Sequence, residues 1–369
     1  MPASAPPPTA ESIRSEMYLL DRWAELTLAR FLATEAGLAP GVGCTSAHLA
    51  QRLRIAERHR PVVQRWVRVL AGAGLIAFDP HSDIAYGVRT PEAREVERAF
   101  EDTREVQQCC GPALREFYRA CAEHLGELVR DDISVQSLLF ADPRIAEEIY
   151  AGNAASRLVN EIAADAVARL VGPGGRVMEI GAGTGATTQH IIARLDTSVR
   201  YDFSDVSDYF LRMALERWGA RAGFAATRYD LRQDCSAQGF EPGSVDVLVA
   251  ANVLHNGPNA TATLRKLRRL LRPRGHLVMI ETGREHHPLL LSMYLLMSPP
   301  PERADERPSD QRRHDDRILL RREEWNAAAH AAGLRDVEIA PERSHPLERM
   351  AQFVLVAENP DAVGPSVHP

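Results

Sequence analysis

Several things are missing from this 369-residue chain, and each absence narrows what it can be. No apolar run approaches the ~20 residues that a helical membrane span requires, so no membrane partner is expected. Met1 to Pro8 has neither a charged segment nor an apolar one, so residues 1–12 read as a disordered tail and not as a signal peptide. Cysteines are few and odd in number: Cys44, Cys109, Cys110, Cys121 and Cys235 show no metal-ligand pairing, and the adjacent Cys109-Cys110 is expected on a helix. That usage fits a reducing compartment, and a cytoplasmic location is expected. Excess positive charge is missing too, since the net charge of −6 gives no general reason to expect a nucleic-acid partner. Most telling, no Lys or Arg occurs between Glu179 and Arg194.

The most informative run, Arg176-Val177-Met178-Glu179-Ile180-Gly181-Ala182-Gly183-Thr184-Gly185, leads into that interval. Apolar residues fit for a buried strand lead to an acid, three alternate glycines and a helix-forming stretch, Ala186 to Leu195. Glycines at a strand-to-helix turn bring backbone close to a ligand and take positive φ at little cost. The helix start behind them offers free N–H groups. A Gly-x-Gly-x-Gly turn alone serves many nucleotide folds. Glu179, with no Lys or Arg from there to Arg194, points away from phosphate and towards a cationic ligand, and S-adenosylmethionine carries a sulfonium and an ammonium.

Length and pattern predict two domains after the tail: a helical N-terminal domain over 13–140 and a catalytic domain over 141–369. Ile13 to Gly37 has helical apolar spacing. Thr45 reads as the N-cap of a short helix, a second helix follows Pro61, and Leu75 to Val88 reads as a hairpin turning at Asp79–Asp83, together a winged-helix pattern. Such a module serves either to read DNA or to dimerise and line a pocket, and the second is expected here, with a homodimer through this domain. Residues 91–170 read as helices over Glu92–Gln108, Ala113–Val129 and Asp142–Leu170. From Arg176 the rhythm becomes strand–helix alternation, with strands at Val177–Ile180, Arg200–Phe203, Phe224–Tyr229, Val245–Ala250, Leu277–Glu281, Val337–Ile339 and Gln352–Ala357. Residues 299–317, rich in proline and mixed charge, are expected to form a mobile loop or lid.

Ligands of doubly wound sheets bind beyond the carboxyl ends of the strands. Polar residues fall at successive predicted ends: Glu179, then Asp205 where ribose hydroxyls would lie, then Asp230 beside Leu231 where an adenine amino group would lie, then Asn252 near the amino-acid end of the ligand. Tyr150 and Asn153, three apart, are expected on one helical face covering the methionine end.

Glu179–Gly185 with Thr187-Thr188, Tyr201–Ser207, Gln238-Gly239-Phe240, Ser244–His255, Leu270–Glu281 and the upstream Glu148–Asn153 together resemble the methyltransferase domains of polyketide synthases and nonribosomal peptide synthetases. The resemblance covers about residues 140–335. It implies an α/β fold: a class I methyltransferase Rossmann-like sheet with helices on both faces, here preceded by a helical, winged-helix N-terminal domain and standing alone. It implies S-adenosylmethionine as cofactor, held by Glu179, Gly181, Gly183, Gly185, Asp205, Asp230, Leu231, Asn252, Tyr150 and Asn153, with no metal. In carbon-methylating members a His after the fourth strand and a Glu ending the fifth act as a pair, and those positions hold His255 and Glu281. An imidazole is suited to removing an acidic α-proton, and a carboxylate fixes its tautomer.

One stretch departs from the resemblance. Members acting on carrier-bound acyl chains carry an aromatic, often double-Trp segment after the fifth strand, whereas Leu289–Met297 has no Trp. The acceptor is therefore read as either carrier-protein-bound or a free small molecule. Two alternatives stand beside methyl transfer to carbon: cyclisation of S-adenosylmethionine to azetidine-2-carboxylate and methylthioadenosine, and a non-enzymatic winged-helix regulator. His286-His287 and the basic run Arg265–Arg274 are read as surface features.

Overall fold

The structure, a computed structural model, describes residues 9–106, 110–142, 144–145 and 148–360. Residues 1–8 of the expected tail, the end of the expected helix at Gln107-Gln108, and Cys109 lie outside the described residues. The chain packs as two compact units. The first runs to Ala154 and also takes Arg284–Arg307 and Gln311–Ile318; the second comprises Ala155–Gly283, Pro308–Asp310 and the chain from Leu319. The line falls at 154/155 where the sequence pattern drew it at 140/141, and the 284–318 region divides between the units.

In the first unit, α1 (Ala10–Glu35) starts earlier than expected because the Thr9 and Ser12 side chains form a reciprocal capping box, so Thr9–Ser12 are ordered helix start and not tail. Its apolar stripe, including Ile13, Leu20, Trp23, Leu28 and Leu32, is buried. β1 (Gly43–Thr45) leads into α2 (Ser46–Arg52), where the Thr45 side chain accepts from the His48 N–H as an N-cap. α3 (Arg60–Gly72) buries Val63, Trp66, Val67 and Leu70 completely. β2 (Ile76–Asp79) and β3 (Ile84–Gly87) form the expected hairpin, and β1 pairs with β3 to complete a three-stranded antiparallel sheet. Helices α4 (Ala93–Asp102), α5 (Pro112–Glu123), α6 (Leu125–Val129) and α7 (Val135–Leu139) follow.

The long helices expected over 91–170 are therefore broken up. Cys110 lies in a bend before α5 and not on a helix. Residues Glu148–Gly152 make one π-type turn, Asn153 is a bend, and α8 (Ala154–Leu170) starts after it. Tertiary bonds explain the interruption. The Glu148 carboxylate accepts from the N–H groups of Ala113 and Leu114 at the start of α5, 3.2 and 2.8 Å away. The Asn153 amide donates to the Glu148 and Ile149 carbonyls at 3.0 and 3.1 Å. Gly111 makes room, since a Cβ there would lie 2.5 Å from the Glu148 carboxyl.

The second unit is built on a seven-stranded sheet ordered β6-β5-β4-β7-β8-β10-β9. Its strands are β4 (Arg176–Ile180), β5 (Arg200–Asp205), β6 (Phe224–Arg228), β7 (Val245–Ala251), β8 (Leu271–Thr282), β9 (Arg335–Ala340) and β10 (Gln352–Glu358). The first five are parallel to one another, and β10 runs antiparallel to both its neighbours. Such strands are covered on both faces, which is why they read as continuous apolar runs. Val177, Phe203, Val247, Val249 and Val278 pack on one face with Ala163 and Val167 of α8. Met178, Ile180, Leu248, Ala250 and Met279 pack on the other with Leu264 and Trp325. Strand order reverses between β4 and β7, which places the switch point at the ends of these two strands.

β8 is longer than the expected Leu277–Glu281. Its register shifts between the partners of Val245 and Val247, Arg274 takes a φ of 60°, and the Asn359 amide donates to the carbonyls of Leu271 and Arg272 at 3.0 Å each. Residues 299–317, expected as a mobile loop or lid, contain 3-10 turns at Pro301–Glu306 and Gln311–His314 and bury Arg312 and Arg317. Among the described residues, no helix is long and apolar enough to cross a membrane.

Candidate active site

The three glycines after β4 all have positive φ, at 61°, 53° and 73° for Gly181, Gly183 and Gly185. Their surroundings differ. A Cβ on Gly181 would come within 2.4 Å of Val253, and one on Gly185 within 2.3 Å of Trp218. At Gly183 the nearest atom would be the Gly181 carbonyl oxygen, 4.0 Å away. Gly181 and Gly185 thus serve backbone shape and packing, and Gly183 alone presents an open face. Its N–H donates to Asp205 at 2.9 Å, while Ala182 N–H donates to the Ser204 carbonyl at 3.0 Å, tying the turn to the end of β5. The other Asp205 oxygen accepts from Ser207 N–H at 2.9 Å.

Glu179 is completely buried. Its Oε2 accepts from the Thr188 and Tyr201 hydroxyls, both at 2.5 Å, and its Oε1 is buried without a hydrogen-bond partner. Burial raises its pKa from 4.5 to about 7, outweighing the two hydroxyl donors, and the nearby Asp205 charge pushes the same way. Thr188 and Tyr201 were not singled out from sequence as parts of the site.

Asp230 has a partner that sequence reasoning missed. Arg232, two residues on, donates to its carboxylate at 2.8 and 2.7 Å, and the Arg232 backbone N–H adds a bond at 3.0 Å. These bonds hold Asp230 down at about 2. Gln238 braces its backbone from both sides, accepting from Asp230 N–H at 2.7 Å and donating to the Asp230 carbonyl at 3.0 Å. Leu231 is buried, and its carbonyl accepts from the Lys266 ammonium.

At the end of β7, Asn252 takes a φ of 50° and donates its N–H to the Ile280 carbonyl at 2.8 Å. That sharp turn swings the next residues into the 3-10 turn Leu254–Asn256. Glu281, completely buried near the end of β8, receives them. Its Oε1 accepts from Leu254 N–H at 2.8 Å and His255 N–H at 3.2 Å, and its Oε2 lies 2.7 Å from His255 Nδ1. The pair expected at these positions is thus in hydrogen-bond contact.

Tyr150 and Asn153 belong to the first unit and do not share an α-helical face. The backbone of Tyr150 lies in the π-type turn, and Asn153 lies beyond it with its amide turned back onto that turn. His286 and His287, read as surface residues, are half-buried, with His287 Nδ1 2.9 Å from Glu25. Among the described residues no group of three or more His, Cys, Asp or Glu could hold a metal ion. The basic run is largely committed within its own unit: Arg268 to Asn359 and the Ala332 carbonyl, Arg269 to Asp234, Arg272 to Asp246.

A mostly parallel sheet of this order, with helices on both faces and a glycine turn at its switch point, defines the α/β Rossmann-like methyltransferase fold. Residues 178–277 match the family described as methyltransferase domain. Pyochelin synthetase PchF of Pseudomonas aeruginosa is 33% identical over 303 residues, covering 77% of this chain and 16% of the synthetase. Polyketide synthase ThaQ of Burkholderia thailandensis is 32% identical over 286 residues, covering 71% of this chain and 13% of the synthase. The solved CurJ carbon methyltransferase superposes with a TM-score of 0.82 at 25% identity, over 93% of this chain and 92% of that one. The chain is a relative of the C-methyltransferase domains of polyketide synthases and nonribosomal peptide synthetases. It spans no more than about one-sixth of the two synthetases' length.

This kinship implies use of S-adenosylmethionine, and the residues fit it. Glu179 Oε1 is a buried acceptor in need of a donor, Gly183 leaves space for close approach, and Asp205 has lone pairs left for hydroxyl groups.

Proposed function

We propose that the chain is an S-adenosylmethionine-dependent methyltransferase of polyketide or nonribosomal peptide metabolism that methylates an activated carbon, with His255 as base and Glu281 as its orienting partner. The observation that carries this is the 2.7 Å contact between His255 Nδ1 and buried Glu281. A carboxylate there accepts from Nδ1–H, which selects the tautomer whose Nε2 takes up a proton. Nε2 removes the acidic proton from a carbon next to a carbonyl, and Glu281 stabilises the imidazolium that results. S-adenosylmethionine, when bound, supplies an electrophilic methyl group. Gly183 and Asp205 fix the register of turn and β5, and in-line orientation of the two reactants contributes much of the rate. Glu179, Asn252 and, once released by Arg232, Asp230 are assigned to the cofactor.

The test is a product analysis. Incubation with S-adenosylmethionine and a panel of β-ketoacyl thioesters, carrier-bound and free, should give S-adenosylhomocysteine and a new C–CH₃ bond only when acceptor is present. Methylthioadenosine with a cyclic amino acid, formed without acceptor, would overturn the reading in favour of cyclisation; methyl groups found only on oxygen or nitrogen would overturn the carbon target.

In the first unit the strand–helix–helix–hairpin order supports a winged helix, to which we assign a homodimerising role. Val42, Tyr86 and Val88, 44, 39 and 52% exposed, supply apolar surface for it. A DNA-reading role is not favoured, because helix α3 already has Arg65 bonded to buried Glu285 at 2.7 Å and Arg68 3.6 Å from Asp316.

A further inference from the structure

The Thr188 and Tyr201 hydroxyls converge on one oxygen of Glu179 and leave the other bare. They come from separate elements: Thr188 from the helix Ala186–Ile192 that follows the glycine turn, Tyr201 from β5. Both donors are held in place. Tyr201 is completely buried, with its ring stacked on Phe224 at 6.1 Å and 4°. Thr188 is also completely buried, and its neighbour Thr187 donates to Asn160 of α8 at 2.8 Å, which anchors that helix start.

We propose that Thr188 and Tyr201 are positioning residues for cofactor capture: by occupying Oε2 they leave Glu179 Oε1 as the acceptor for the cofactor's ammonium group. This rests on the reading that S-adenosylmethionine binds at the glycine turn. Glu179 is the last side chain but one before that turn, and Oε1 is its only buried oxygen lacking a donor. The ionisable groups around it work against its charge or leave it alone. Asp205, at the end of β5, disfavours ionisation, Tyr201 acts as hydroxyl donor, and Arg221 acts on Tyr201 from beyond it. No cation of the described residues is bonded to Glu179, so an incoming ammonium supplies the missing one. The acid is half protonated near neutrality in the absence of ligand, and an ammonium ligand expels that proton.

The consequence is measurable without turnover. Calorimetric titrations between pH 5.5 and 7.0, below the range near 8 in which an α-amino group titrates, would use two probes. S-adenosylhomocysteine carries the ammonium; methylthioadenosine lacks the amino-acid part. Wild-type affinity for S-adenosylhomocysteine should rise as pH rises, by up to about tenfold per unit, with proton release, while methylthioadenosine affinity stays flat. Thr188→Val and Tyr201→Phe should each weaken S-adenosylhomocysteine by about tenfold at pH 7 and leave methylthioadenosine unchanged. Thr188→Ser should restore wild-type behaviour. Equal losses for both probes would show a merely structural role and overturn the proposal, as would unchanged affinity and pH dependence in both variants. Wild-type protein that binds neither probe would instead overturn the cofactor reading itself.

Discussion

Two glutamates near the carboxyl ends of parallel strands, Glu179 on β4 and Glu281 on β8, have the same chemistry and the same complete burial. Their surroundings separate them. Glu281 has both oxygens engaged, by two backbone N–H groups on one and the His255 ring on the other. Glu179 has two hydroxyl donors on one oxygen and none on the other. The first carboxylate is fully engaged by its own protein, the second keeps one bare oxygen, and the proposed ammonium would fill it. Burial alone does not give a carboxylate its role, and the count of donors on each oxygen does.

That contrast can be broken most severely at the proposed base. His255→Ala should lower methyl transfer by about 10²–10⁴-fold while leaving S-adenosylhomocysteine affinity unchanged. A parallel loss of binding would erase the division between a chemistry side and a binding side. Glu281→Ala comes next, since it strands the Leu254 and His255 N–H groups. At about 1–3 kcal/mol for each orphan donor, a denaturant titration should show a loss of about 2–6 kcal/mol. No loss would mean that water serves these groups as well.

Glu179 sharpens the contrast through pH. Its folded-state value is raised from 4.5 to about 7, so the neutral acid is the form the fold favours. The associated stability is fully present below about 4.5 and lost as pH rises through about 7. Unfolding free energy of wild type relative to Glu179→Gln should therefore decline from pH 5 to pH 8, by at most about 3 kcal/mol. A flat difference would sink the idea of an incomplete carboxylate. The smallest effect belongs to Arg232→Ala. Arg232 is 42% exposed, so its pairing with Asp230 is worth under about 1 kcal/mol. Freeing Asp230 should tighten methylthioadenosine by about two- to threefold, and weaker binding would remove Asp230 from the adenine site.

Much of this was readable beforehand wherever the signal was local. The strand ends bearing Glu179, Asp205 and Asn252 were legible because buried strands are apolar and their polar ends stand out. Thr45 as a cap and the hairpin turn at Asp79–Asp83 were legible because turn chemistry is short-range. What failed was set by partners far away in sequence. The helix expected through Asn153 is interrupted by bonds between Glu148 and α5, which periodicity does not register. The long β8 hides a register shift secured by Asn359, 84 to 88 positions downstream of the residues it grips. Thr188 and Tyr201 look like ordinary helix and strand residues until folding brings both hydroxyls to Glu179.

The division of the chain into units has a consequence for how the protein is made. Trp66 of α3 donates to the Leu290 carbonyl at 3.1 Å, Arg65 reaches Glu285, and His287 N–H reaches Asp21 of α1 at 2.7 Å. These partners leave the ribosome more than 200 residues after the helices they complete. These bonds of the N-terminal helices therefore form only after residues 285–290 have been made, by which point strands β4 to β8 of the sheet have already been synthesised. A fragment cut at residue 154 would lack these partners, because the first unit is completed by segments that come after most of the second.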